Sequence, residues 1–185
     1  MRPLLRFDGV ACRRGGRLLF EALDLALGPG EALQVTGPNG SGKSSLLRLA
    51  AGLLRPERGR IDRTHLALAD EHLALDPELP LRRALGLWRP YYPLDRGLEI
   101  MGIDHLAEIP VRLLSTGQAR KAMLARVIAS DARIWLLDEP LNGLDADGIE
   151  RLMLVIDAHR RSGRAVLAAS HQPLVGDWRT LELRP

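Results

Sequence analysis

The chain has 185 residues, 46% of them apolar, and a formal net charge of +3. That is enough for one domain with a core of its own and room for a small inserted lobe. One cysteine, Cys12, excludes an internal disulfide and suits a reducing compartment, and no apolar run is long enough to cross a bilayer or to form a signal-peptide core. Lys43 and Lys121 are the only lysines among 26 basic residues. A lysine kept in so arginine-rich a chain is informative, because the two cations bind phosphate differently. The mild positive charge is scattered, so no nucleic-acid partner is expected.

In chain order, Leu4–Phe7 and Leu23–Leu27 read as strands, with a hairpin turn at Arg14-Gly15-Gly16-Arg17. Cys12 reads as a small strand residue. Gly28-Pro29-Gly30 is a tight turn before a buried strand, Glu31–Thr36. Ser45–Ala51 reads as the start of a helix that ends near Gly52. A loop over Arg55–Gly59 leads to a strand from Arg60, and His65–Ala69 is a further buried strand. From Asp70 to Ile109 prolines recur, and apolar residues take helical spacing around Leu81, Leu85 and Trp88, so this stretch reads as a small helical lobe set into the core. Its aromatic cluster, Trp88, Tyr91 and Tyr92, suits either a partner surface or packing within the lobe. Residues 116–129 form a helix capped by Ser115, Arg133–Leu137 a strand, Ala146–Arg161 a helix, Arg164–Ala169 a strand and Leu181–Leu183 a final edge strand. Strands alternating with helices imply an α/β fold with a largely parallel sheet.

Between the Glu31–Thr36 strand and its helix lies Gly37-Pro38-Asn39-Gly40-Ser41-Gly42-Lys43-Ser44, followed by Ser45. This is a G-x-x-x-x-G-K-[ST] phosphate loop in the strand–loop–helix setting that it requires. Its glycines let backbone N–H groups turn onto phosphate oxygens, and the helix N-terminus adds partial positive charge. Lys43 can reach the β- and γ-phosphates, and the Ser44 hydroxyl can ligate Mg²⁺. The apolar strand Ile134–Leu137 ends in Asp138 and Glu139. Alternation along a strand sends these carboxylates different ways, Asp138 toward Mg²⁺ through water and Glu139 toward an attacking water. Ser115, Thr116, Gly117 and Gln118 sit at a helix N-terminus and form a second anion-binding device, best used in trans on the nucleotide of a second copy. Leu144-Asp145 would lie at that junction. His171, at the carboxyl end of a core strand, can hydrogen-bond the γ-phosphate.

These pieces in this order resemble the ATP-binding subunits of ABC transporters: the phosphate loop as Walker A, LSTGQ from Leu114 as the signature, LLDEP as Walker B, Leu144-Asp145 as the D-loop and His171 as the switch histidine. The resemblance implies an ABC-type P-loop NTPase core with an N-terminal antiparallel β part and a helical lobe at about 71–113, all within one ATP-binding domain. It implies ATP and Mg²⁺ as cofactors, a homodimer that sandwiches ATP, and hydrolysis that drives a membrane partner. Within the family the chain is most similar to the haem-exporter subunits of cytochrome c-type biogenesis. That similarity rests on the Ser45–Leu53 run, the Leu18-Leu19-Phe20 approach and Gln172-Pro173-Leu174 after the histidine. It implies integral membrane subunits of the haem-exporter complex (CcmB type) as partners and a peripheral place on the cytoplasmic face of the inner membrane. The other readings are an exporter of a lipid or drug and a soluble ABC ATPase. Two departures from the family stand out. The glutamine of the loop after the first core block is missing near residues 70–73, where His72 takes its place. The aromatic residue that stacks on adenine is missing near Arg13 or Arg14. His65, His72 and His105 are not read as haem ligands.

Overall fold

The computed structural model describes residues 2–70, 75–86 and 94–184. The chain divides into two compact units. The first is built from the residues up to Asp70, Ala132–Pro140 and the residues from Ala158 onward; the second takes the described residues between 75 and Asp131 together with Leu141–Asp157.

Two sheets make up the first unit. Strands β1 (Leu5–Arg14), β2 (Arg17–Leu27) and β4 (Arg58–Arg63) form an antiparallel sheet in the order β2-β1-β4. The hairpin turns at Gly15-Gly16, where both residues have positive φ, a conformation that suits glycine. Its strands run well beyond Leu4–Phe7 and Leu23–Leu27. Register shifts between Phe7 and Val10 and between Val10 and Cys12 break the strict alternation, so a two-residue pattern cannot be followed along the whole ribbon. Cys12 is buried in β1, and burial pushes its thiol pKa up.

The second sheet is parallel, in the order β5 (Leu66–Ala69), β6 (Ile134–Asp138), β7 (Ala165–Ala169), β3 (Ala32–Thr36) and β8 (Arg179–Glu182). Its central strands are near-continuous apolar runs, as expected where both faces of a sheet are covered. Leu33 and Val35 of β3 join Ile134, Leu136, Leu167 and Ala169 in one core, together with Leu46, Leu47 and Leu49 of helix α1 (Lys43–Ala51) and Leu5, Phe7 and Leu27 of the antiparallel sheet. By alternation, Ala32 and Gln34 face the opposite side. The final strand pairs with β3 alone and forms an edge.

The second unit carries no named strand among its described residues. It holds α2 (Leu81–Gly86), α3 (Leu94–Ile100), two single 3₁₀ turns at Asp104–Leu106 and Val111–Leu113, α4 (Thr116–Ala129) and the greater part of α5 (Ala146–Arg161). Helices α3 and α4 pack closely because Gly97 has no side chain; a Cβ there would run into the Ala125 carbonyl. Among the described residues, no helix is long and apolar enough to cross a membrane.

Candidate functional site

The parallel order β6-β7-β3 brings the carboxyl ends of three strands to one edge of the sheet. That edge is where open α/β sheets bind ligands. The phosphate loop leaves β3 there, Asp138 and Glu139 end β6, and Ser170 and His171 follow β7. The parallel topology therefore gathers residues more than a hundred positions apart in the chain.

The phosphate loop is a cradle built from glycine. Gly37, Gly40 and Gly42 all have positive φ. A Cβ on Gly37 would meet the Leu183 carbonyl and would lie 2.8 Å from Ser41 Oγ; one on Gly42 would press on Leu19 and Phe20. Gly42 caps α1 without any side-chain hydrogen bond, so the first amides of the helix remain available to an anion. Lys43 is buried, and its Nζ donates to the Gly37 carbonyl at 2.8 Å and the Pro38 carbonyl at 3.3 Å. Ser41 is only 2% exposed, and its Oγ has no hydrogen-bond partner among the described residues. Leaving a buried hydroxyl unsatisfied is costly. A phosphate oxygen at the loop would give both Ser41 and Lys43 an acceptor, so the residues present fit a phosphate group. Helix α1 extends back to Lys43 and includes Ser44, which places the Ser44 hydroxyl on its first turn.

Strand alternation does not set the relation between Asp138 and Glu139. Asp138 is the last strand residue and is buried. Glu139 leaves the strand with φ 46°, a left-handed conformation rare for a residue with a side chain, and its amide donates to the Ala169 carbonyl at 2.8 Å. Backbone held in this region stores strain that the surrounding structure must maintain. The turn aims the Glu139 carboxylate at His171. Glu139 Oε2 accepts from His171 Nδ1 at 2.7 Å and from the His171 amide at 3.3 Å. The Glu139 side chain is 12% exposed, that of His171 52%.

Ser115 to Gln118 begin α4 in the second unit. The Gln118 amide donates to Ser115 Oγ at 3.2 Å and the Ser115 amide to Gln118 Oε1 at 2.9 Å, a reciprocal capping box. Ser115 and Thr116 are exposed. Gly117 lies against the segment before α5, since a Cβ there would sit 2.8 Å from the Gly143 carbonyl. Asp145 belongs to the same unit and is held by Lys121, at 2.8 Å, and by the Gly148 amide, at 2.9 Å.

Two residues here were not singled out as site residues from the sequence, and each had left a signal. Lys121 is the second lysine of an arginine-rich chain. Gln34 is the one polar side chain among the buried positions of β3, and it bonds the segment that carries His171. His72, Trp88, Tyr91 and Tyr92 lie outside the described residues.

A family model described as "ABC transporter" matches residues 20–142, well over half of the chain. The chain belongs to the ABC transporter family. It is 57% identical to the "Cytochrome c biogenesis ATP-binding export protein CcmA" of Sphingopyxis alaskensis, over 92% of this chain and 91% of that one. It is 52% identical to the protein of the same name from Novosphingobium aromaticivorans, over 95% and 93%. A solved ATP-binding subunit of an ABC transporter superposes with a TM-score of 0.82 over 91% of this chain and 79% of that chain; at 22% identity this likeness speaks for the fold. The antiparallel ribbon beside a parallel sheet is thus the expected architecture of an ABC ATP-binding domain, a P-loop NTPase fold.

Proposed function

We propose that the chain is the ATP-binding and ATP-hydrolysing subunit of the haem exporter used in cytochrome c-type biogenesis, working as a pair on integral membrane subunits at the cytoplasmic face of the inner membrane. The observation that carries the export assignment is the high identity to CcmA relatives along nearly the whole chain. The hydrolytic assignment is supported by the phosphate cradle and the Glu139–His171 contact at one sheet edge.

In this reading the amides of Asn39, Gly40, Gly42 and Lys43 and the Lys43 ammonium hold the β- and γ-phosphates of ATP. Ser41 Oγ donates its orphaned proton to a phosphate oxygen. Ser44 and Asp138 supply the hard oxygen donors that Mg²⁺ prefers, Asp138 through water. A bound Mg²⁺ would supply neutralisation of the charge that develops on the phosphates. Glu139 orients and polarises the attacking water, and the strained turn at its backbone fixes the direction of that carboxylate. His171 holds Glu139 through Nδ1, and in the imidazolium form its Nε2–H would also donate to a γ-phosphate oxygen. Ser115, Thr116, Gly117 and Gln118 of a second copy close over the same phosphate, with Asp145 beside them.

The test is a pull-down of the tagged chain from detergent-solubilised membranes, with identification of the integral proteins recovered. A cytochrome c assembly membrane subunit is the expected catch. An unrelated permease would keep the ATPase and remove the haem assignment, and recovery with ribosomes alone would remove the membrane partner as well and point to a soluble ABC ATPase.

A further inference from the structure

We infer that Gln34 is a positioning residue for hydrolysis: it clamps the connection that carries His171 onto the strand that leads into the phosphate loop. The inference rests on the reading of His171 given above.

The topology creates the need for such a clamp. Strands β7 and β8 flank β3 on its two sides, so the chain from Ser170 to Trp178 must pass across β3 to get from one to the other. The sheet itself secures only the start of this crossing, where the Ser170 amide donates to the Val35 carbonyl at 3.1 Å. Beyond that point the crossing has no ladder partner until β8 begins at Arg179. His171 lies at the start of this crossing, and its exposed ring has to be held at Glu139.

Gln34 supplies the missing bonds. Its Nε2 donates to the Gln172 carbonyl at 2.7 Å and more weakly to the Ser170 carbonyl at 3.4 Å, and its Oε1 accepts from the Leu174 amide at 3.3 Å. One side chain therefore grips the backbone on both sides of Pro173, whose missing N–H leaves no donor stranded between them. Gln34 is 5% exposed, Ser170 1% and Leu174 7%, so the bonds to Ser170 and Leu174 are shielded from water, and that to the Gln172 carbonyl is partly so. Ser170 reinforces the same turn: its Oγ donates to the Gln172 carbonyl at 2.9 Å and accepts from the Gln172 amide at 3.1 Å. A buried amide on a strand that otherwise reads Ala-Leu-x-Val is costly unless it is satisfied, and here every polar atom of the side chain is satisfied by this one loop. The clamp ties the position of His171 to β3, the strand from which the phosphate loop departs three residues later. Histidine and phosphate cradle are thereby referred to one rigid element.

The test uses Gln34→Met, which keeps the length and shape of the side chain and removes its donor and acceptor. Mg²⁺-dependent ATP turnover is measured for the full chain within the detergent-purified complex that it copurifies with, in the parent and in a His171→Ala background. Misplacing a catalytic group by a fraction of an ångström to an ångström costs roughly 10- to 100-fold in rate, so Gln34→Met should lower kcat by about that factor in the parent and leave KM for ATP within about twofold. In the His171→Ala background the same change should cost nothing further, since a residue acting through His171 cannot be lost twice. Equal loss in both backgrounds, or a raised KM with kcat intact, overturns the inference. If His171→Ala alone leaves turnover unchanged, the role of His171 fails, and that outcome is separate from the first. A readout independent of turnover is amide hydrogen exchange: protection of residues 170–175 should fall in Gln34→Met while β3 stays protected, and unchanged exchange also overturns the inference.

Discussion

His171 Nδ1 sits 2.7 Å from Glu139 Oε2, and the His171 amide lies 3.3 Å from the same oxygen. Two donors on one carboxylate oxygen fix the direction of the side chain. Glu139→Gln keeps the shape and removes the proposed base. Nucleotide affinity should stay within about twofold while turnover falls by roughly 10²–10⁴, the usual worth of a positioned general base. Binding of a labelled nucleotide and release of phosphate, measured on one preparation, check the two halves. Full turnover in the variant would remove Glu139 from the mechanism.

Lys121 and Asp145 form an ion pair beside the proposed D-loop. The Lys121 hydrogen bond, followed by that of the Gly148 amide, holds the Asp145 carboxyl below its ordinary value of 3.8. The folded value is the lower one, so the stabilisation is fully present above pH 3.8 and is lost as pH falls through the depressed value. Carboxylate-resolved NMR should show Asp145 titrating below 3.8. In Lys121→Met its titration should move upward, and in Lys121→Arg it should stay low. The pair is exposed on the Asp145 side, so thermal melting should barely change. Turnover, which needs the loop in place, should drop roughly 10-fold in the Met variant. Unchanged turnover with a shifted Asp145 titration would make the pair a surface ornament.

Much of this was legible in the chain because the informative signals are local. The helix over Ala146–Arg161 and the cap at Ser115 are found where pattern and capping chemistry place them. A motif such as Gly37–Ser44 is eight contiguous residues whose meaning does not depend on the rest of the fold. Long-range and irregular features were harder to read. The β1–β2 ribbon runs past its sequence-level ends because bulges interrupt the alternation that marks a strand. Glu139 looks like the next strand residue, yet the backbone turns left-handed there, and no propensity of glutamate announces that. Gln34 in Glu31–Thr36 is a polar residue in an apolar strand, but only the crossing of the 170–178 segment over β3, more than 130 positions later in the chain, explains why it is there.

Arg13 and Arg14 are distinguished by their partners. Arg13 Nε pairs with Glu57 Oε2 at 3.1 Å, and its Nη1 donates to the Gly16 carbonyl at 3.1 Å, so its guanidinium plane is committed to these partners. Arg14, opposite Arg17 at the hairpin end, makes neither bond. Of the two it is the one able to lay its plane on an adenine ring. An aromatic ring at this place should do so more strongly, since aromatic stacking adds about 1 kcal/mol beyond area burial. Arg14→Tyr should therefore tighten ATP binding about fivefold, and Arg14→Ala should loosen it. Arg13→Ala should leave affinity nearly unchanged. Titration with ATP and GTP side by side reads the effect, which should be confined to Arg14. An equal response to Arg13→Ala would assign the base contact to the wrong arginine.

His159 offers a test of the core far from nucleotide chemistry. Its ring stacks on Trp135 with centroids 3.6 Å apart and planes 18° from parallel, and it is 6% exposed. Burial first, then the nearby Arg164 charge, lower its pKa from 6.5 to about 4. For a base, a depressed folded value means that the unfolded chain takes up the proton first as pH falls. Stability is therefore complete above pH 6.5, declines between 6.5 and about 4, and levels off below that. A shift of this size corresponds to about 3 kcal/mol across the window. His159→Phe keeps a flat ring against Trp135 and cannot titrate. Urea unfolding of the two proteins at pH 7 and pH 4.5 should show the parent losing most of that free energy and the variant losing much less. Parallel pH profiles would show that His159 does not carry the acid sensitivity of the fold.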